Sequence, residues 1–334
     1  MNINNSISTL RRALEARLPV MLWGAPGIGK SSIVRSEAKE RGIDLIDLRL
    51  AQLDATDLRG IPVPNKETRE VEWYWPAFLP SEGHGILFLD EIDKAPNLVK
   101  SAALQLVLDR RLGDYELPEG WLVVAAGNRE EDDAFGSGLG SALANRLLHV
   151  DVEPDLEIWA LWAKESGIHN DVIAFLRFRG ELLFKMTGEN AFPSPRSWEA
   201  ASRLLHQEEG ESSAFTPGVI ASAVGAGTAA EFSAWVRLYR DVDVSKILKG
   251  KIPSFEKKAA SFRYAVVLAV ANYIEKHTLE ERQYQAVGTL LEAVTPELRV
   301  LLLKSIPAKM VSKIAAHPAI REAASKVVLD YLGS

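Results

Sequence analysis

Gly24-Ala25-Pro26-Gly27-Ile28-Gly29-Lys30-Ser31 matches G-x-x-x-x-G-K-[ST], a spacing whose chemistry is phosphate binding. Glycines let successive backbone N–H groups curl around an anion, and a helix opening at Lys30, Ser31 and Ser32 adds its positive end. Lys30 is placed to neutralise β/γ-phosphate charge, and the Ser31 hydroxyl to reach a Mg²⁺ ion. A second segment, Gly85-Ile86-Leu87-Phe88-Leu89-Asp90-Glu91, is an apolar run ending in two acids. Ligands of open α/β sheets bind at the carboxyl ends of strands. Asp90 is therefore expected to hold the Mg²⁺ shell through water, and Glu91 to orient, or take a proton from, the water that attacks a γ-phosphate. A third run, Leu122–Ala126, ends at Gly127-Asn128. If its strand neighbours the one before Gly24, the Asn128 amide lies beside the same phosphate and can position that water.

These residues need a scaffold, and the hydrophobic pattern supplies one. Ile7, Leu10, Leu14 and Leu18 recur at helical spacing, followed by the apolar run Pro19–Trp23. Further short apolar runs at Leu45–Leu50, Ile86–Leu89, Leu122–Ala126 and Leu147–Val152 alternate with helical segments such as Ser31–Arg41 and Leu98–Leu108. Strand–helix alternation predicts an α/β fold with a parallel sheet of five strands. From Pro154 to Tyr331 the strand signal vanishes and helical stretches follow one another between Pro and Gly. The expected organisation is a nucleotide-binding core over 1–152, a helical lid over 153–243 and a basic helical region over 244–334. The last boundary is set near Val242-Asp243, because Lys246–Pro253 reads as a Lys-, Gly- and Pro-rich connector.

Composition narrows the classes. The 334 residues carry 39 Lys plus Arg against 45 Asp plus Glu, with 47% apolar and 25% charged residues, which fits a soluble globular protein. No apolar run approaches the ~20 residues of a membrane span, and the polar start lacks a secretory apolar segment, so a cytoplasmic, membrane-free setting is expected. With no cysteine, a disulfide scaffold, a thiol nucleophile and a Cys-ligated zinc are excluded. Residues 244–334 carry 14 Lys or Arg against 8 acids, so an acidic body is followed by a basic tail. Gly136-Ser137-Gly138-Leu139-Gly140 has dinucleotide-loop composition without its spacing or preceding strand, and reads as a flexible loop. The Ala and Val stripe of Tyr264–Tyr273 reads as buried core.

Together the segments resemble those of AAA+ ATPases, and over about residues 7 to 200 the chain is similar to the MoxR type. Gly24–Ser31 and Leu89-Asp90-Glu91-Ile92-Asp93-Lys94-Ala95 fit the superfamily, Ala126-Gly127-Asn128 fits its sensor 1, and Pro193-Ser194-Pro195-Arg196-Ser197 is similar to the MoxR sensor 2. The resemblance implies ATP with Mg²⁺ and a homo-oligomeric ring, usually a hexamer. It also implies that Arg196 contacts the γ-phosphate of its own subunit, and that Arg146 is a finger serving a neighbouring subunit. Asn145 and Leu147 depart from the Asp and Phe common beside that finger, and Arg129, Arg110 and Arg111 compete for the role. Loss of such a finger costs ~10³ or more in related phosphoryl transfer, so a lone subunit is expected to be nearly inactive.

Residues 57–80 are long for a connection. In this superclade an insertion occupies the region, so Val71, Trp73 and Tyr74 are candidates for an aromatic hairpin, with local packing as the alternative. Arg110–Pro118 resembles a second, pre-sensor hairpin. MoxR relatives imply a remodelling or maturation chaperone acting with a separate von Willebrand A domain protein. Two alternatives stay open. One is a nucleic-acid motor of the McrB type, supported by Lys246, Lys249, Lys251, Lys257 and Lys258. The other is a slow nucleotide-dependent assembly switch.

Overall fold

The computed structural model describes residues 3–129, 144–208 and 217–321. The chain divides into two compact units, Met1–Trp159 and Ala160–Ser334. The Gly136–Gly140 segment and the chain beyond Arg321 lie outside the described residues.

The first unit runs α1 (Ile3–Glu15), β1 (Val20–Trp23), α2 (Lys30–Arg41), β2 (Asp44–Arg49), α3 (Ala55–Arg59), β3 (Ile61–Pro64), β4 (Val71–Tyr74), β5 (Gly85–Asp90), α4 (Asn97–Asp109), β6 (Arg111–Leu112), β7 (Tyr115–Glu116), β8 (Trp121–Gly127) and β9 (Leu148–Asp151). The five long-range strands form one sheet in the order β2-β5-β8-β1-β9, and every neighbouring pair is parallel. All five strands expected from the apolar runs are present, as is the predicted adjacency of β1 and β8. Ile86, Leu87, Phe88, Leu89, Val124, Ala125 and Ala126 are wholly buried, as strands covered on both faces must be. Register pairs Trp23 with Gly127 on one side and with Asp151 on the other, so the residues that follow β1 and β8 leave the sheet together.

Local chemistry sets the element ends. The helix carrying Leu10 and Leu14 stops at Glu15, so Leu18 does not extend its stripe. Leu18 is exposed, Arg17 is left-handed at φ 57°, and Pro19 disfavours helical backbone in the residue before it. The buried carboxylate of Glu37 ties α2 to α1, accepting from Arg11 Nε at 2.6 Å and pairing with Arg41 Nε at 3.5 Å. Both expected hairpins form, β3 with β4 and β6 with β7. On the first, Ile61, Val71, Trp73 and Tyr74 are exposed, so the aromatics are presented outward. The second is anchored, because Arg110 donates to the carbonyls of Pro118 and Trp121 at 2.8 and 2.9 Å, and Tyr115 Oη donates to the Pro80 carbonyl at 2.7 Å.

The second unit is helical: α5 (Leu156–Glu165, which spans the division), α6 (Asn170–Phe178), α7 (Pro195–Glu208), α8 (Pro217–Val224), α9 (Ala226–Arg240), α10 (Val244–Leu248), α11 (Ala260–Lys276), α12 (Glu281–Ala293), α13 (Pro296–Ser305) and α14 (Ala308–Ala315). Phe175 lies at its centre, with Phe232, Trp198 and Trp235 at ring separations of 5.2, 5.6 and 5.9 Å. Ala265–Ala271 is buried throughout, as the stripe predicted. The expected connector begins as helix instead. Ile247 and Leu248 of α10 are buried in the same apolar cluster as Val267, Val270 and Leu291, and that burial stabilises a turn of helix which Lys- and Gly-rich composition disguised. No helix among the described residues is long and apolar enough to cross a membrane.

Burial pushes the Tyr115 phenol up to about 12, with Arg110 opposing. A raised folded pKa means that its contribution is complete below the ordinary phenol value of ~10 and is lost as pH rises from there toward about 12. Urea denaturation at pH 8 and pH 11 should show the chain losing stability over that interval and Tyr115→Phe losing less. Equal losses would contradict this anchoring.

Candidate phosphate-binding site

The loop between β1 and α2 carries the glycine pattern, and two of its glycines are required by geometry. A Cβ on Gly24 would lie 2.5 Å from both Ile28 Cδ1 and the Val152 carbonyl oxygen. Gly29, at φ 102°, is the left-handed N-cap of α2 and has open space where a Cβ would stand. The loop thus closes tightly against the end of β9 while leaving the helix N-terminus uncovered, a concavity suited to an anion.

Lys30 opens α2 and is buried. Its Nζ donates to the carbonyls of Gly24 and Ala25 at 2.5 and 3.0 Å and to Asn128 Oδ1 at 2.9 Å. The ammonium is therefore held inside the loop, in direct contact with the residue that follows β8. On the other side Ser31 Oγ donates to Asp90 Oδ2 at 2.8 Å, and the Glu91 amide donates to Asp90 Oδ1 at 2.9 Å. Glu91 itself is left-handed, φ 57° and ψ 34°, unusual for a residue with a Cβ, and the chain turns sharply there from β5 into the 3₁₀ turn Ile92–Lys94. The structure thus brings Lys30, Ser31, Asp90, Glu91 and Asn128 to the carboxyl ends of the three central strands, β5, β8 and β1.

These groups fit Mg²⁺ with a polyphosphate. Mg²⁺ takes one or two protein oxygens and completes its octahedron with water and phosphate, and the adjacent Ser31 hydroxyl and Asp90 carboxylate are the oxygens that would face such an ion. Among the described residues no group of three or more His, Cys, Asp or Glu could hold a metal unaided. On β2, burial and the charge of Asp90 push the Asp47 carboxyl up, against Arg35 and Arg49. Two features here escaped the sequence reading. Asp93 is buried beneath the site, and a Cβ on Gly127 would lie 2.7 Å from its Oδ1. Lys100, also buried, donates to the Asp93 carbonyl at 2.7 Å, and burial lowers its pKa against the pull of Asp93. A third acid three residues after Asp90 was the available signal.

The arginines sort themselves by partner. Arg110 is spent on two backbone carbonyls, Arg111 pairs with Glu116, and Arg129 pairs with Asp151 at 3.0 Å. Arg146 is exposed in the turn just before β9. Arg196 belongs to the second unit, as the second residue of α7, whose start is fixed by Ser194 and Ser197. The Ser197 amide donates to Ser194 Oγ at 3.1 Å, the Ser194 amide to Ser197 Oγ at 2.8 Å, and the Trp198 indole to the Leu182 carbonyl at 2.7 Å. Arg196 is exposed at that capped helix start.

The model of the ATPase family associated with various cellular activities (AAA) matches residues 20–139. Giardia intestinalis Midasin is 27% identical over 153 residues, which span 43% of this chain and 3% of that protein. The rat ATPase family gene 2 protein homolog B is 32% identical over 123 residues, 34% of this chain and 15% of that one. The chain thus spans a small fraction of the length of these curated relatives. A solved structure of Thermotoga maritima RuvB is similar at 16% identity, with 81% of each chain covered and a TM-score of 0.43.

Lys30→Ala should abolish nucleotide binding, read by loss of a fluorescent ATP analogue's titration signal, with the fold intact by circular dichroism. Retained affinity would mean that the Gly24–Ser31 loop is not the phosphate site.

Proposed function

We propose, from the premise that residues 20–139 are an AAA ATPase core that uses ATP with Mg²⁺, that the chain is a ring-forming remodelling ATPase of the MoxR type. The observation that carries the catalytic part is the pairing of Lys30 with Asn128, which follows the adjacent strand β8, and of Ser31 with Asp90 of β5, one strand further away. Lys30 leaves its carbonyl collar to meet the β- and γ-phosphates, and Ser31 and Asp90 hold the metal, Asp90 through water. Bound Mg²⁺ supplies charge neutralisation between the phosphates. Glu91 takes the proton of the attacking water, and the Asn128 amide orients that water beside the γ-phosphate. By the family resemblance, Arg196 would serve the γ-phosphate of its own subunit. Arg146 serves the site of the neighbouring copy, where a planar guanidinium donates to the transferring oxygens as charge moves onto them.

Remodelling needs a surface that moves with hydrolysis. The β3–β4 hairpin is the strongest candidate, because it exposes apolar side chains on both faces, Ile61 with Tyr74 on one and Val71 with Trp73 on the other, and exposed apolar surface marks an interaction site. The partner in this reading is a von Willebrand A domain protein, carried over from the family resemblance. A nucleic-acid substrate has one observation in its favour, the exposed Lys246, Lys249, Lys251, Lys257 and Lys258.

Glu91→Gln should bind ATP and fail to hydrolyse it, trapping an assembled state; unchanged turnover would move the base elsewhere. Tagged Glu91→Gln protein with ATP should recover a von Willebrand A domain protein from the native host after nuclease treatment. Recovery of nuclease-sensitive material alone would favour the nucleic-acid motor. Trp73→Ala with Tyr74→Ala should keep basal ATPase within about two-fold, since neither residue touches the site, and lose partner recovery; intact recovery would exclude the hairpin as the docking element.

A further inference from the structure

His149 of β9 joins the floor of the phosphate loop to the turn that carries Arg146. Its Nδ1 lies 2.6 Å from Trp23 Nε1, and the two rings lie edge to edge, with centroids 6.0 Å apart and planes within 7° of parallel. Its Nε2 lies 2.7 Å from the Ala144 carbonyl oxygen. An indole N–H only donates and a carbonyl only accepts. The pair of contacts therefore fixes the neutral tautomer, with Nδ1 accepting from Trp23 and the Nε2 proton given to Ala144. Trp23 is the last residue of β1, immediately before Gly24, and its own carbonyl accepts from the Val152 amide at 2.7 Å. The Ala144 carbonyl also receives the Leu147 amide at 3.4 Å, so it closes the turn in which Arg146 sits.

We propose that His149 is a positioning residue: it locks the Arg146 turn to Trp23 and so makes the arginine offered to a neighbouring copy depend on the phosphate loop of its own copy. The contact spans 126 residues of sequence, and it is a directional link between two elements that β1–β9 pairing alone would only place side by side. A loop that shifts as phosphates enter moves Trp23, and through the rigid imidazole moves Ala144 and the turn. The proposal rests on the reading of Arg146 as the finger, and two measurements keep the two apart.

The first measurement is independent of Arg146. Nitrogen-15 NMR of histidine-labelled protein at pH 7.5 should give His149 as the Nε2–H tautomer, unchanged in Arg146→Ala and lost from that fixed form in Trp23→Phe. A His149 that is Nδ1–H, or averages between tautomers in the unmodified chain, overturns the link. The second measurement is ATPase activity in mixed assemblies. His149→Asn keeps an acceptor for Trp23 but is too short to reach Ala144, and should lower kcat by on the order of ten- to a hundred-fold with KM and thermal midpoint unchanged. His149→Gln, with an amide N–H near the Nε2 position, should restore much of it. Because the defect lies in what is offered to the neighbour, mixing His149→Asn with Glu91→Gln protein should recover activity, as mixing Arg146→Ala with Glu91→Gln should. If Arg146→Ala complements and His149→Asn keeps full activity, or fails to complement, the positioning role is wrong. If Arg146→Ala alone is fully active, the finger assignment fails and the NMR result alone decides the link.

Discussion

The structure depends on one constraint, the parallel pairing of β1 between β8 and β9. Because Trp23 is in register with Gly127 on one side and Asp151 on the other, three chain segments leave the sheet at the same height. The phosphate loop, Asn128 and the close of β9 at Val152 meet there. The Lys30–Asn128 contact, the tight seat of Gly24 against the Val152 carbonyl and the His149 link all follow from that register. A slip of one residue would turn every side chain of β1 to the opposite face and disperse the site.

On this scaffold the charges are arranged in opposition. A buried lysine held by carbonyls and an amide oxygen faces a serine–aspartate pair 59 residues apart in sequence, and on β2 burial, with the charge of Asp90 added, pushes the Asp47 carboxyl up. The folded chain already holds these groups in place: Lys30 through three oxygens and Asp90 through both of its carboxylate oxygens, beside the N-terminus of α2.

Much of this was legible in the sequence because it is local. The glycine spacing, the apolar runs that became the five strands, and the acids ending β5 are short-range patterns governed by backbone sterics and burial. The prediction that Asn128 would reach the phosphate loop was conditional on strand order, and the order β2-β5-β8-β1-β9 meets the condition. The Trp23–His149 hydrogen bond was not legible, since nothing in the periodicity of either strand specifies a partner 126 residues away. Leu18 misled because helical spacing continues past the point where Pro19 forbids helix. Ile247 and Leu248 were hidden by the lysines and glycine around them, although their burial is tertiary.

The central claim is that hydrolysis needs a residue from a second copy, so the most direct test is ATP turnover per subunit as a function of protein concentration, with sedimentation measured over the same range. The account predicts turnover near zero where the chain is monomeric, rising steeply with the fraction assembled. Turnover per subunit that stays constant down to fully monomeric protein would contradict it.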